Sequence, residues 1–428
     1  MLDIKIIREN PDIVRKDLTK RNDKEKLKLL EELIKDDRKW RELVNKINQL
    51  RKKRNEISIK INEAKKQKKD VSKLLNEVAK IPEEIKKLED EKIKYEGRIR
   101  LALYRIPNIL HESVPIGKDD SENVEIRKWG KPPKFDFEPK SHLEILENLG
   151  LIDGANATKV AGAGFFFLKN ELVLLDLALQ RFAIDHLLKK GFKLIEPPLM
   201  VNKKTYEGMI GDPTDFVEAS YKIDGEELYL IPTSEYPLGA IFIDKTFDKD
   251  ELPVKLVGVS SCFRKEVGTH GKYSKGLFRM HQFNKVEQFV YCLPEDSWKF
   301  HKEIQKNAEE LYQKLGLHFR VVDICTGDIG TKAAKKYDIE AWMADGKFRE
   351  VGSNSNCTDY QARRLNIKFR EGPGKPPVAF VHTLNNTAIA TSRTMIAIIE
   401  QFQNKDGTVD MPKVLIPFIG IKKLEKKV

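Results

Sequence analysis

Between Trp40 and Ala102 the chain carries two apolar series whose members are spaced alternately by three and four residues. Trp40, Leu43, Ile47, Leu50, Arg54, Ile57, Ile61 and Ala64 form the first; Val78, Ile81, Ile85, Leu88, Lys92, Tyr95, Ile99 and Ala102 form the second. That spacing puts each series on one face of a helix. The two series mirror each other about Val71, with Lys69-Asp70 placed for a turn, so the pattern predicts two long antiparallel helices. At 1.5 Å per residue, about 40 residues in each make an arm about 60 Å long. The following stretch, residues 103–137, holds Pro107, Pro115, Pro132, Pro133 and several glycines, which end the helical pattern and predict an interdomain connection. The expected domains are residues 1–110 and 111–428.

Further along, residues 171–190, closed by Gly191, and 297–315, closed by Gly316, read as amphipathic helices. The runs 254–259, 286–291, 318–322 and 378–382 read as strands. Because helices and strands do not alternate strictly, the expected class is α+β, with a largely antiparallel sheet carrying helices rather than a doubly wound parallel sheet. The closing lysine-rich residues 422–427 read as a frayed tail.

With 428 residues, 40% hydrophobic and 34% charged, the chain is too long for one small module and too apolar to be wholly disordered. No run reaches the 18 uncharged apolar residues of a membrane span, and Asp3 and Glu9 interrupt any signal-like start, so membrane insertion and secretion are disfavoured. Cys262, Cys292, Cys325 and Cys357 form no Cys-x-x-Cys pair, which argues for reduced thiols and a cytoplasmic location rather than a disulfide framework or zinc module.

The net charge of +12 is unevenly placed. Residues 22–103 hold 25 basic against 17 acidic residues, and within them the arm's expected tip carries Arg51, Lys52, Lys53, Arg54, Lys60, Lys65, Lys66, Lys68, Lys69 and Lys73 against three acids. A basic heptad segment alone is usually a solvated or oligomerising coiled coil; basic charge gathered at the far end of an arm favours a polyanion.

Neither Gly-x-Gly-x-x-Gly nor the P-loop pattern occurs. Instead Arg264-Lys265-Glu266 leads through a loop with Gly268, Gly271 and Gly276 to Arg279-Met280-His281-Gln282-Phe283 and then Glu287. This order resembles motif 2 of the class II aminoacyl-tRNA synthetases, in the form found in the seryl-tRNA synthetase family. Residues 191–198, with Pro198, look like the dimer-forming motif 1, and residues 385–393, ending in Arg393 and running into an apolar helix over 394–401, look like motif 3. The seryl-specific signals are 231–235, 350–364 and the N-terminal arm itself, so the resemblance spans essentially the whole chain.

It implies ATP-dependent activation of L-serine to seryl-adenylate and transfer of the seryl group to tRNA(Ser), with tRNA(Sec) as a further candidate acceptor. By resemblance, Arg264 holds the α-phosphate and the serine carboxylate, Arg279 and Arg393 serve the γ-phosphate and the adenine end, and Phe283 stacks on the adenine. Glu266, Lys265, Met280, Val351 and Gly352 join the ATP site. Glu350 and Ser353 bind Mg2+, whose preference is for oxygen ligands. Thr233, Ser234, Glu235, Glu287 and Thr387 take serine. The catalytic set is Arg264, Glu287 and Arg393. The family also implies a homodimer in which the arm crosses to the partner subunit and grips tRNA by shape, and Thr233-Ser234-Glu235 matches the type that uses no zinc. Two positions depart from the commonest pattern: Gly352 stands where serine is usual, and the run before Arg393 lacks the usual glycine. The rival from another class, an inactive synthetase-like RNA-binding protein, would have lost Arg264, Glu287, Glu350 or Arg393, and all four are present.

Overall fold

The computed structural model describes residues 1–212, 220–265 and 276–426 and divides into two units, Met1–Ile106 and Pro107–Val428. In the first unit α1 (Ile4–Glu9) and α2 (Pro11–Lys20) precede two long helices, α3 (Lys24–Lys66) and α4 (Ser72–Arg105). Asp23 starts α3 by accepting from the Lys26 amide at 2.9 Å. Asp70 accepts from the Ser72 amide and hydroxyl at 2.9 and 2.6 Å, fixing the entry to α4. The reversal therefore falls where the mirrored pattern put it. Helices of 43 and 34 residues are about 64 and 51 Å long. Ile47, Ile57 and Ile61 of α3 close on Ile81 and Ile85 of α4, with Leu50, Val78 and Leu88 half-buried beside them. Arg54 occupies a seam position yet is exposed, as a long stem with a charged head allows.

The second unit is built on an eight-stranded sheet of β1 (Val124–Trp129), β2 (Lys193–Ile195), β3 (Val254–Phe263), β4 (Gln282–Cys292), β5 (Phe319–Asp323), β6 (Lys335–Trp342), β7 (Phe348–Asn356) and β8 (His382–Ala390). Their order across the sheet is β1-β5-β6-β7-β8-β4-β3-β2. Every pair is antiparallel except β2–β3, so the α+β expectation holds. One face carries α5 (Glu171–Leu188), α7 (Ser297–Leu315) and α9 (Thr391–Gln401), whose Leu175, Leu179, Ile304, Leu311, Ile396 and Ile399 pack with Val286, Val290 and Leu384 of the strands. The opposite face is covered by the short helix Lys203–Met209, α6 (Glu235–Ala240), α8 (Tyr360–Leu365) and loops, around Tyr206, Tyr236, Phe289 and Tyr291. Strand alternation sends Val286 and Val290 to the first layer and Phe289 and Tyr291 to the second.

Several expectations need correcting. The stretch 103–137 is more than a connection, because it contains β1, an edge strand of the main sheet; its prolines lie outside those six residues. Helix α5 lacks a single apolar face: Leu172, Leu175 and Leu179 are buried, but Val173, Leu174, Leu177 and Leu188 are exposed. The run 378–382 is split, since Ala379–Phe380 pairs with Lys368–Arg370 while β8 begins at His382 and continues through the polar Asn385, Asn386 and Thr387. The helix expected from 394 starts at Thr391. The supposed tail is pinned through Lys423–Leu424, which pairs with Val409–Asp410 and buries Leu424 completely.

Candidate active site

A cleft lies on the sheet face away from α7, lined by residues along β4, β7 and β8 and by Arg264 just past the end of β3. Arg264 follows the last residue of β3, where backbone bonds from the Arg264 amide to the His281 carbonyl (3.0 Å) and from the Phe263 amide to that of Ile231 (2.8 Å) hold it. Its Nε donates to the Pro232 carbonyl at 3.2 Å, and its guanidinium lies 5.1 Å from the Phe283 ring centre. One part of the cleft is lined by Arg264, Phe278, Met280, Phe283, Glu350 and Arg393 among others. The adjoining part, a cavity of about 260 Å3, is lined by Thr233, Glu235, Lys285, Glu287, Lys332 and Ser353 among others. Arg264, Lys285, Glu350 and Thr387 line both.

At the floor, Glu287 and Lys285 lie two residues apart on β4 and therefore on the same side. They are 1% and 5% exposed and form an ion pair of 2.7 Å. Lys285 also donates to the Thr233 hydroxyl at 2.6 Å, and the Thr387 hydroxyl donates to Glu287 at 3.1 Å; Glu287 and Thr387 face each other in the β4–β8 register. Burial pushes the Glu287 carboxyl above its ordinary value, with Lys285 opposing. Glu235, at the first turn of α6, receives Lys332 Nζ and Gln361 Nε2 on the same oxygen, each at 2.7 Å.

Arg393, in the first turn of α9, donates through Nη1 to the Glu350 carbonyl at 3.0 Å and lies 3.1 Å from its carboxylate. Its guanidinium stands 4.7 Å from the Phe278 ring centre. Burial works against charge on Glu350, but Arg393, Lys336 and Arg264 outweigh it and hold that carboxyl below its ordinary value. Neighbouring Asp338 shifts the other way, driven up chiefly by burial. It faces Ser353 in the β6–β7 register and keeps Oδ1 buried without a hydrogen bond.

Most residues expected from the sequence thus converge, and some do not. Ser234 is fully buried, with its side chain against Gly258 of β3, and does not line the cleft. Lys265 points its ammonium toward the Tyr221 ring, 5.9 Å away, and neither it nor Arg279 lines the cleft. Glu266, Gly268 and Gly271 lie outside the described residues. Gly352 has a local reason: a Cβ there would sit 3.0 Å from the Thr387 carbonyl oxygen.

Sequence reasoning missed Lys332 and Asp338, and gave no role to Lys285 and Gln361, which stand within the motif 2 and seryl-specific stretches. It also missed a row of amides on the reverse of the site strands. Gln288, Asn386 and Asn354 are neighbours across β4, β8 and β7; each is adjacent in sequence to a cleft residue, Glu287, Thr387 or Ser353. Gln288 donates to Asn386 at 2.7 Å and to the Ile304 carbonyl at 3.0 Å, and accepts from Asn307 at 3.0 Å. Period-two alternation around Glu287 and Thr387 was the available signal.

Among the described residues no group of three or more His, Cys, Asp or Glu side chains is placed to hold a metal. All four cysteines are free and buried.

Comparison with known proteins decides the family. Residues 1–110 match the seryl-tRNA synthetase N-terminal domain, and 218–402 match the tRNA synthetase class II core domain (G, H, P, S and T). The serine–tRNA ligase of Methanospirillum hungatei JF-1 is 54% identical over 99% of both chains, and that of Thermococcus sibiricus is 51% identical over 99% of this chain and 97% of its own. The chain belongs to the seryl-tRNA synthetases. A crystal structure of the Pyrococcus horikoshii seryl-tRNA synthetase complexed with ATP superposes with a TM-score of 0.96, at 49% identity and complete coverage of both chains. The cytoplasmic serine–tRNA ligase of Naegleria fowleri, in complex with AMP, gives 0.89 at 37% identity, covering 100% of this chain and 99% of its own. The long helical pair and the mostly antiparallel sheet are therefore the family's two domains.

Proposed function

We propose that the cleft condenses L-serine with ATP to seryl-adenylate and then passes the seryl group to the 3′ end of tRNA(Ser). The protein is a serine–tRNA ligase of class II. A serine carboxylate oxygen attacks the α-phosphorus and pyrophosphate leaves, so two anions must be brought together and the charge that develops on the phosphate must be met. Arg264 bridges both reactants, and Arg393 with Phe283 brackets the adenine. Glu235 receives the serine ammonium, and the Thr233 hydroxyl, which accepts from Lys285 and from the Glu235 amide, holds the two in place beside it. The Glu287–Thr387 pair takes the hydroxyl, with Lys285 opposing the effect of burial on the Glu287 carboxyl. An amino acid without that hydroxyl leaves the pair unmet, which is the basis for rejecting alanine.

Glu350 and Ser353 would supply the oxygen donors for Mg2+, and Asp338 Oδ1, buried beside Ser353 without a hydrogen bond, fits a cation's surroundings. A single carboxylate suits an ion that keeps waters and binds mainly through substrate phosphates. When bound, the ion neutralises phosphate charge.

The protein acts as a homodimer, a reading supported by the apolar Val173, Leu174, Leu177, Leu194 and Met200, which stand exposed on α5, on edge strand β2 and nearby. The basic residues from Arg51 to Lys73, all exposed at the end of the helical pair, grip tRNA bound across the two subunits. No helix among the described residues is long and apolar enough to cross a membrane, and the free thiols accord with work in the cytoplasm. The observation that carries the reading is the convergence of Arg264, Glu287, Glu350 and Arg393 on one cleft. Amino-acid-dependent ATP–pyrophosphate exchange with each of the twenty amino acids tests it: serine alone should support exchange, and comparable exchange with threonine or proline would overturn it.

A further inference from the structure

Lys332 belongs to none of the family motifs read from the sequence, yet its ammonium enters the cleft. It sits on the loop between β5 and β6. That loop is tied down on its backbone: the Asn108 amide donates to the Thr331 carbonyl at 2.8 Å, and Asn108 Nδ2 donates to the carbonyls of Lys332 at 3.0 Å and Cys357 at 2.9 Å. Asn108 is itself 4% exposed. The Ala334 amide adds a bond to the Asn356 carbonyl at 2.8 Å. From this fixed base the lysine stem passes the Tyr236 ring, with Nζ 5.6 Å from its centre, and reaches Glu235 Oε1.

Gln361 donates to the same oxygen, and its own carbonyl accepts from the Thr383 hydroxyl at 2.7 Å, which fixes the orientation of its amide. Two donors from two different elements therefore occupy Oε1. Oε2 has no hydrogen bond among the described residues, and Glu235 lines the cavity. A carboxylate held this way has one orientation and one free oxygen.

We propose that Lys332 is a positioning residue for amino-acid recognition: with Gln361 it clamps Glu235 so that Oε2 meets the ammonium group of the substrate. This rests on the reading that Glu235 receives that ammonium. The clamp has a second consequence. Lys332 sets a positive charge against the Glu235 carboxylate, at 2.7 Å, whether or not substrate is present. Burial acts to lower the Lys332 ammonium's pKa, but Glu235, Cys357 and Glu287 outweigh it and raise it, so it remains charged. The cost of losing the clamp should therefore fall on ligands that carry an ammonium and spare those that do not.

The test is a cycle with two non-hydrolysable probes, a seryl-sulfamoyl adenosine and its des-amino analogue, measured by calorimetry on the wild-type protein, Lys332→Met and Lys332→Arg. Lys332→Met should weaken the seryl probe about tenfold or more, in line with a charged hydrogen bond, while the des-amino probe changes by less than twofold. Lys332→Arg should recover most of the loss. In exchange kinetics KM for serine should rise with KM for ATP unchanged. Equal weakening of both probes, or no weakening of either, would overturn the role given to Lys332. A wild-type protein that binds both probes equally would instead remove the ammonium site at Glu235, and the clamp with it.

Discussion

The tip of the helical arm and the floor of the cleft both hold concentrated charge, and they hold it in opposite ways. Lys60, Lys65, Lys66, Lys68, Lys69 and Lys73 are exposed and have no ion-pair partner among the described residues. Lys285 and Glu287 are almost wholly buried and bound to each other, to Thr233 and to Thr387. Exposed lysines with free heads can meet an irregular polyanion in many arrangements, and their attraction adds up over many weak contacts. A buried pair has one arrangement, and removing either member leaves the other charged and unsolvated. The same two residue types thus serve shape-tolerant binding in one region and single-substrate recognition in the other.

Glu287→Ala should break the contrast from the cleft side with the largest effect. Truncating one member of a buried, hydrogen-bonded charge pair at a binding site costs about 2–5 kcal/mol of binding, so serine-dependent exchange should fall roughly a thousandfold, with tRNA binding in filter assays unchanged. Near-normal exchange would remove Glu287 from the site.

Replacing residues 51–73 with a short turn approaches it from the other side. Charging of tRNA should drop about a hundredfold or more through lost phosphate contacts, while serine activation stays at the wild-type rate. Loss of both activities would assign the tip a folding role.

How much of this was legible in the sequence follows the same division. The arm was readable almost to the residue, because a heptad seam is a local pattern: Ile47, Ile57, Ile61, Ile81 and Ile85 needed only their spacing to be placed. Arg264, Glu287, Glu350 and Arg393 were found through ordered motifs. Lys332 was not, and Gln361, though it stands within the 350–364 signal, was given no role, because what defines both is proximity to Glu235, 97 and 126 residues away, of which spacing along the chain carries no trace. The amides of Gln288, Asn386 and Asn354 look like surface residues until the sheet and α7 bury them. Helix α5 misled for a related reason: leucines such as Leu174 and Leu177 suggest a core face, whereas they stand exposed in the single chain.

A smaller effect sharpens the comparison through pH. His301, 2% exposed and stacked 5.0 Å from the Tyr337 ring, has its pKa lowered to about 3, mainly by burial. In the unfolded chain it binds a proton below about pH 6.5, and in the folded chain it does not. Its contribution to stability is therefore intact above pH 6.5 and is lost progressively as pH falls toward 3, about 2 kcal/mol by pH 5. Thermal melting of His301→Phe should fall less steeply than that of the wild type between pH 7 and 5; parallel curves would contradict the assignment.

The smallest effect is expected at the tip. Lys60→Ala should change tRNA affinity only a few-fold and reduce the slope of log affinity against log salt by about 1. An unchanged slope would take Lys60 out of the RNA contact.

The most direct test of the whole is a crystal of the protein soaked with a non-hydrolysable seryl-adenylate mimic. The account predicts density with the adenine between Phe283 and Arg393, the linker at Arg264 and the seryl hydroxyl at Glu287 and Thr387. Density at any other place, or the mimic lying in the cleft with its seryl group turned away from Glu287, would contradict it.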